Sequence, residues 1–381
     1  MTPSAPAHRP AIRVSLALFA SLVAAAGMTA AASAARAAPA ARAAPAINPY
    51  SPAAGHAYRH GVVPTAAAAA KMRAYAKIHP AKGPSNLRFG GGIDGIGVTT
   101  GAEKVYLIFY GSQWGSVGSS GGYTTLSVDA SGEAPYVQKL INGLGTNSEL
   151  WSGVMTQYCE GVAKGATTCT TGAPHVAYPT GGALAGVWVD ESTASPSQAT
   201  GHQLGVEAVN AAAHFGNTTA AANRDAQYVI LSPSGTHPDG FNTPSGQFCA
   251  WHDYNGDTTL SGGAVSSPYG DIAFTNMPYV TDLGASCGQN FLNPGSAGTD
   301  DGVSIVEGHE YAETITDQNP PGGWTDSRGA ENGDKCAWIT PGTAGGVFNL
   351  SLATGTFAMQ TTWANDANGG RGGCEASHPI V

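Results

Sequence analysis

The sequence predicts an α/β (α+β) fold: a single domain built on a mixed sheet, with Gly-rich loops and disulfide staples. Three observations carry this expectation. "KVYLIFYGSQW" and "DAQYVILSPSG", beginning at Lys104 and Asp225, are short apolar runs rich in β-branched and aromatic residues, as buried strands are. Two stretches with helical spacing lie between them, and strand, helix, helix, strand is the grammar of an α/β layer. Six cysteines, Cys159, Cys169, Cys249, Cys287, Cys336 and Cys374, all fall in the C-terminal region.

The chain has 381 residues. Its first 37 read as a secretory signal peptide: Arg9 and Arg13 precede an apolar run from Val14, which ends in small Ala-x-Ala patterns. Residues 38–85 are rich in Ala, Pro and Gly with little apolar periodicity, so they read as a linker or a removable pro-segment, with a short helix over "TAAAAAKMRAYAKIH". The globular domain is then expected over 86–381, without stable insertion in a membrane once the signal is cut. Charged residues make up only 11% of the chain, against a usual share of about 25%. That polar, weakly acidic surface argues against nucleic acid as a partner and favours an extracellular protein or cell-wall substrate.

"APYVQKLINGLGTNSELWSGVMTQYC" predicts two helices broken over Gly143–Asn147, and "SPSQATGHQLGVEAVNAAAHFG" a helix with a Ser/Gln cap that ends at Gly216. "GQFCAWHDYNGD" and "DIAFTNMPYVTD" read as strands or extended loops, and "GGVFNLSLATGTFAMQTTWAND" alternates as β-hairpins do. An even number of cysteines in an exported chain implies disulfides, and six allow fifteen pairings. The simplest joins Cys159 to Cys169, Cys249 to Cys287 and Cys336 to Cys374. No CxxC supports a cysteine metal site.

The chemistry concentrates in "DGVSIVEGHEYAETITD", Asp301 to Asp317. At about 100° per residue, Ile305, Gly308, Ala312 and Ile315 form a stripe facing the core. His309, Glu313 and Asp317 follow at four-residue intervals on the adjoining sector, with Glu310 just beyond. Ligands at i and i+4 project one turn apart, and a Glu beside the first can act as base toward a metal-bound water, so HExxE reads as a zincin-like helix with one altered ligand. His309 and Glu313 are then metal ligands and Glu310 the catalytic base. Glu331 is the preferred third ligand and Asp317 the alternative, with Asp334, Asp326 and His252 in support. Zinc is the expected metal, and a carboxylate in place of the second imidazole brings manganese or calcium into range. The competing reading of the pentapeptide is an ordinary acidic helix. His202 and His214 read as structural, His237 as either a functional-loop residue at a strand end or a turn former, and no GxSxG supports a serine nucleophile.

The order "VYLIFYGSQW", "FCAWHDY", "ASCGQNFLNPGSAGTDDGVSIVEGHEYAETITDQ" and "GWTDSRGAENGDKCAWI" resembles secreted actinobacterial proteins of unassigned function. More remotely, it is similar to the plant EXORDIUM, or phosphate-induced protein, family of the cell wall. The resemblance spans roughly residues 100 to 340 and rests on His309, Glu310, Ala312 and Glu313, then Trp324, Glu331, Asp334 and Cys336. It implies an extracellular location and a growth-related role, and that His309, Glu313, Glu331 and Asp334 share one site. Two functions are therefore expected as alternatives. One is a secreted metal-dependent hydrolase, in the first place a metallopeptidase. The other is a non-catalytic wall- or carbohydrate-associated protein whose acidic cluster holds calcium or only hydrogen bonds. A third, an acid-active peptidase of paired carboxylates, would need no metal.

Overall fold

The computed structural model describes residues 47–80 and 85–381. The expected signal peptide lies outside the described residues. Six strands form the central sheet: β1 (His60–Pro64), β2 (Lys104–Tyr110), β3 (Leu184–Asp190), β4 (Ala226–Leu231), β5 (Phe248–Tyr254) and β6 (Ala273–Met277). Their spatial order is β1-β5-β6-β4-β2-β3. Strands β3, β2, β4 and β6 pair in parallel, whereas β5 is antiparallel to both β6 and β1. The sheet is mixed because one strand is reversed near its edge.

Both faces are covered. Tyr228 and Phe274 point to the face that receives α3 (Gly201–His214), where Gly205 lets the helix approach the Phe274 ring. On the other face Gln227 Nε2 donates to Thr275 Oγ1 at 2.8 Å and to Thr314 Oγ1 at 2.9 Å, which fixes α4 (Asp301–Thr316) against the sheet. Helix α2 (Glu133–Gly143) packs beside α4. A C-terminal hairpin, β7 (Phe348–Leu352) and β8 (Gly355–Met359), closes over the far side of α4, where Ser304 Oγ donates to the Ala358 carbonyl at 2.6 Å.

As a result all sixteen residues of α4 are buried, and the expected division into a core stripe and an outer sector does not hold. The sheet takes one side of the helix and the hairpin takes the other. The helix stops before Asn319-Pro320-Pro321, where proline cannot continue the backbone hydrogen bonds and disfavours helix in the residue before it.

The N-terminal boundary also moves. The short helix expected over 65–79 forms as α1 (Ala66–Ile78), capped by the Thr65 hydroxyl, and residues 60–64, expected as linker or pro-segment, form β1. Val62 and Val63 are buried, and Arg59 makes a buried ion pair at 2.7 Å with Asp239. This segment supplies little core of its own, but it borrows a hydrogen-bonding partner from β5. Helix α3 begins later than the Ser/Gln cap suggested, because Thr200 and Gln203 form the reciprocal capping box instead. Past the 143–147 break the second expected helix is only a 3₁₀ segment, Ser152–Gln157. The disulfides join Cys159 to Cys169, Cys249 to Cys287 and Cys336 to Cys374, and no cysteine is left free. Among the described residues no helix is long and apolar enough to cross a membrane.

Two glycines of α4 test how tightly it is held. A Cβ on Gly302 would lie 2.1 Å from the Cys287 carbonyl oxygen, which is backbone and cannot yield. On Gly308 it would meet the end of Met359, 2.4 Å from Cε, which can swing away. Gly302→Ala should therefore cost about 1–3 kcal/mol. Gly308→Ala should stay within about 1 kcal/mol of the parent, since the helix-propensity gain offsets the repacking. Chemical denaturation checks the order, and a Gly308→Ala change costlier than Gly302→Ala would show that the hairpin, not the Cys287 turn, sets the helix position.

Candidate functional site

Four chain segments meet over the middle of α4. The helix contributes His309, Glu310 and Glu313; β5 contributes His252; the loop after the helix contributes Glu331 and Asp334; β1 contributes the backbone of Gly61. His252, His309, Glu310, Glu313 and Glu331 are all fully buried, while the Asp334 side chain keeps 19% of its exposure.

His309 is held from both nitrogens. Nδ1 lies 3.1 Å from Gln360 Oε1, and the Gln360 amide in turn donates to the Gly333 carbonyl at 2.9 Å. Nε2 lies 3.1 Å from the Gly61 carbonyl oxygen and 2.9 Å from Glu313 Oε2. The contact to Glu313 is an ion-pair approach within one turn of the helix. The other Glu313 oxygen, Oε1, accepts the Asp334 N–H at 2.7 Å.

Two groups of ligand atoms are close enough to share an ion. His309, Glu313 and Asp334 form one; His252, Glu310 and Glu313 form the other. Neither oxygen of Glu310 has a hydrogen-bond partner, and Glu331 Oε1 and His252 Nδ1 also lack one. Such orphaned buried groups are costly unless protonation or a cation compensates them.

The titration of the cluster follows from that burial. Desolvation, with Glu313 and Glu307 nearby, pushes Glu310 well above the carboxylate range. Glu331 moves the same way, through burial and then Asp317 and Glu313. Burial, with the His60 and His309 charges, holds His252 well below the usual imidazole value. His252 Nε2 and Glu331 Oε2 lie 3.2 Å apart, so both shifts disfavour the charged form at one contact. Burial alone would lower His309 too, but Glu313, Asp334 and Gln360 together outweigh it and raise the imidazole to about 9.

Of the expected ligands, His309 and Glu313 stand together. Asp334, expected only in support, lies nearer to them than the preferred Glu331, which meets His252 instead. Asp317 is not beside His309, although its charge acts on Glu331. Past the helix end its Oδ1 accepts the Gly323 N–H, and it belongs to neither ligand group. Asp326 closes its own loop by accepting the N–H groups of Arg328 and Ala330, so it too is separate. Sequence reasoning missed Gly61 and Gln360, which lie far along the chain and carry no motif. It also missed a largely buried group of His60, Asp253 and Asp257, where the His60 and Asp257 side chains are 3.5 Å apart.

Because Gln360 orients His309 and also satisfies the Gly333 carbonyl, Gln360→Leu should strand two buried polar groups. The expected loss is about 1–3 kcal/mol for each unsatisfied group, read by denaturant unfolding of the metal-free chain. A loss below about 0.5 kcal/mol would mean that His309 is held through Nε2 alone, by Gly61 and Glu313. Comparison of the chain with family models, with curated proteins and with solved structures returns no match.

Proposed function

We propose that this chain is an exported metal-dependent hydrolase of zincin-like design, acting as a peptidase on extracellular protein or cell-wall material. One observation carries the reading: both fully buried oxygens of Glu310 have no hydrogen-bond partner, and Glu310 and Glu313 sit within ion-sharing distance of the His252 ring, as Glu313 and Asp334 do of the His309 ring. A divalent cation is the group that would compensate them, and the residues fit one.

His309 Nε2, Glu313 Oε2 and an Asp334 oxygen would hold it. One imidazole and two carboxylates suit zinc, and equally manganese or calcium. When bound, the ion acidifies a water and polarises a carbonyl. The protein's own contribution is positional. Gln360 fixes the His309 ring, the Asp334 N–H fixes Glu313, and Glu310, next to His309 with both oxygens free, would take the proton of the attacking water and pass it to the leaving amine once a bound ion's charge had offset the burial that favours its protonated form. Asp334, the one partly exposed member, marks the side from which solvent approaches.

Three disulfides suit an oxidising, extracellular setting. The motif-level likeness to the EXORDIUM family agrees with a wall location. A second reading, a calcium-stabilised wall protein without turnover, is favoured by one feature: the complete burial of His309 and Glu310 leaves a substrate no direct path to them.

Metal analysis of the secreted, disulfide-intact protein tests both. One equivalent or more of zinc or manganese, lost in His309→Ala and Glu313→Ala, is the expected result. Glu310→Gln should retain the metal and lose about 10²–10⁴ in peptide hydrolysis. Bound calcium with no hydrolysis to lose would favour the second reading, and a parent protein without any divalent ion would sink both.

A further inference from the structure

The cluster is sealed by two pieces of backbone. One is Gly333, where a Cβ would lie 2.9 Å from the His309 ring. This loop belongs to the stapled body: the next residue bonds Glu313, and Cys336 is tied to Cys374. The other is β1, which precedes every cysteine and is joined to the body by no covalent cross-link.

Strand β1 lies on the sheet in a particular way. It pairs antiparallel with β5, His60 opposite His252 and Val63 opposite Ala250, with an irregularity between them at Gly61. There the backbone turns to φ +50° and sets its carbonyl oxygen 3.1 Å from His309 Nε2. A side chain is excluded at this position, since a Cβ would come within 2.0 Å of Glu313 Oε2 and 2.5 Å of the His252 ring. The strand's grip comes from its flanks. Arg59 pairs with Asp239, the Trp338 indole donates to the Pro64 carbonyl at 2.6 Å, and the Thr65 N–H donates to the Gln247 carbonyl at 2.9 Å. Within the cluster β1 offers only a peptide carbonyl to the nitrogen of a proposed metal ligand.

We infer that the outer edge of β5 is the substrate groove, that it takes an extended polypeptide with glycine opposite the His309–Glu313 pair, and that β1 is its tethered occupant. The inference rests on the hydrolase reading and names its substrate class. An extended chain added to a sheet edge gains affinity from main-chain hydrogen bonds and selectivity from the space given to alternate side chains. Here the selective position is the one facing the cluster, and only hydrogen fits. The same geometry answers the objection raised by burial: removal of β1 exposes β5 as the sheet edge and opens the cluster along it.

The test uses the full chain with its disulfides formed. Arg59→Ala combined with Gly61→Val weakens the tether at its anchor and excludes it at the cluster. The probe is a labelled synthetic peptide of residues 56–68, HAYRHGVVPTAAA, with a second peptide carrying valine in place of the glycine. The double variant should bind the glycine peptide at least tenfold more tightly than the parent chain does, and at least tenfold more tightly than it binds the valine peptide. A folded double variant that binds neither peptide, or both alike, overturns the inference. If the double variant does not fold alone, the glycine peptide should restore its folding, and Arg59→Ala by itself should show the same peptide preference; failure of both also overturns it. Metal content is measured on the same samples. Peptide capture without metal would keep the groove and remove the hydrolase reading, and metal without peptide capture would do the reverse.

Discussion

The structure turns on a helix that is buried on every side yet carries three glutamates and a histidine. A helix enclosed all round is ordinarily apolar all round. Each carboxylate in such a place must be hydrogen-bonded, protonated or neutralised by a positive partner, since isolated burial of its charge is prohibitively costly. Glu307 shows the unrelieved case: neither oxygen has a partner, and burial raises its pKa to about 8. Around His309 and Glu313, by contrast, β1, the 331–334 loop and Gln360 bring backbone and side-chain groups from three distant parts of the chain, while Glu310 stays as unpartnered as Glu307.

The staples bear on the same problem. Cys249 lies on β5 three residues before His252, and its bond to Cys287 ties that strand to the turn against which Gly302 packs. Cys336 follows Asp334 by two residues and anchors the 331–334 loop to the C-terminal segment. Two of the three disulfides thus hold the elements that face α4 with ionisable groups. Cross-links of this kind reduce the conformational freedom of the unfolded chain, on the order of 3–4 kcal/mol each in the loop-entropy view, and so offset part of the cost of a polar interior.

Much of this was legible in the sequence, and the gaps have physical causes. Strands β2 and β4 announced themselves because a buried parallel strand is a continuous apolar run. Strand β3 did not, since Ala185 and Gly186 dilute its pattern, and β1 is five residues set in an Ala- and Pro-rich background. The four-residue spacing correctly put His309 beside Glu313. Carried one turn further it failed at Asp317, where the helix ends and the carboxylate caps the following turn. The choice between Glu331 and Asp334 was beyond periodicity altogether, because they sit in a loop whose conformation is set by contacts with α4. All-round burial was equally hidden: periodicity reports the face turned to the sheet, but not the hairpin that covers the opposite side.

The glutamate at 313, where a zinc-peptidase helix would have its second histidine, follows from the packing. Glu313 does two things at once: Oε1 accepts the Asp334 N–H at 2.7 Å, while Oε2 stands 2.9 Å from His309 Nε2. A neutral imidazole has a single acceptor nitrogen, so it could satisfy the loop amide or face the cluster, but not both. With histidine at 313, either the Asp334 amide loses its partner or His309 loses the acceptor that faces it. A carboxylate has acceptors for both. The altered motif is therefore coupled to the loop that delivers Asp334, and the carboxylate that replaces the expected imidazole is also what brings a further carboxylate to the site.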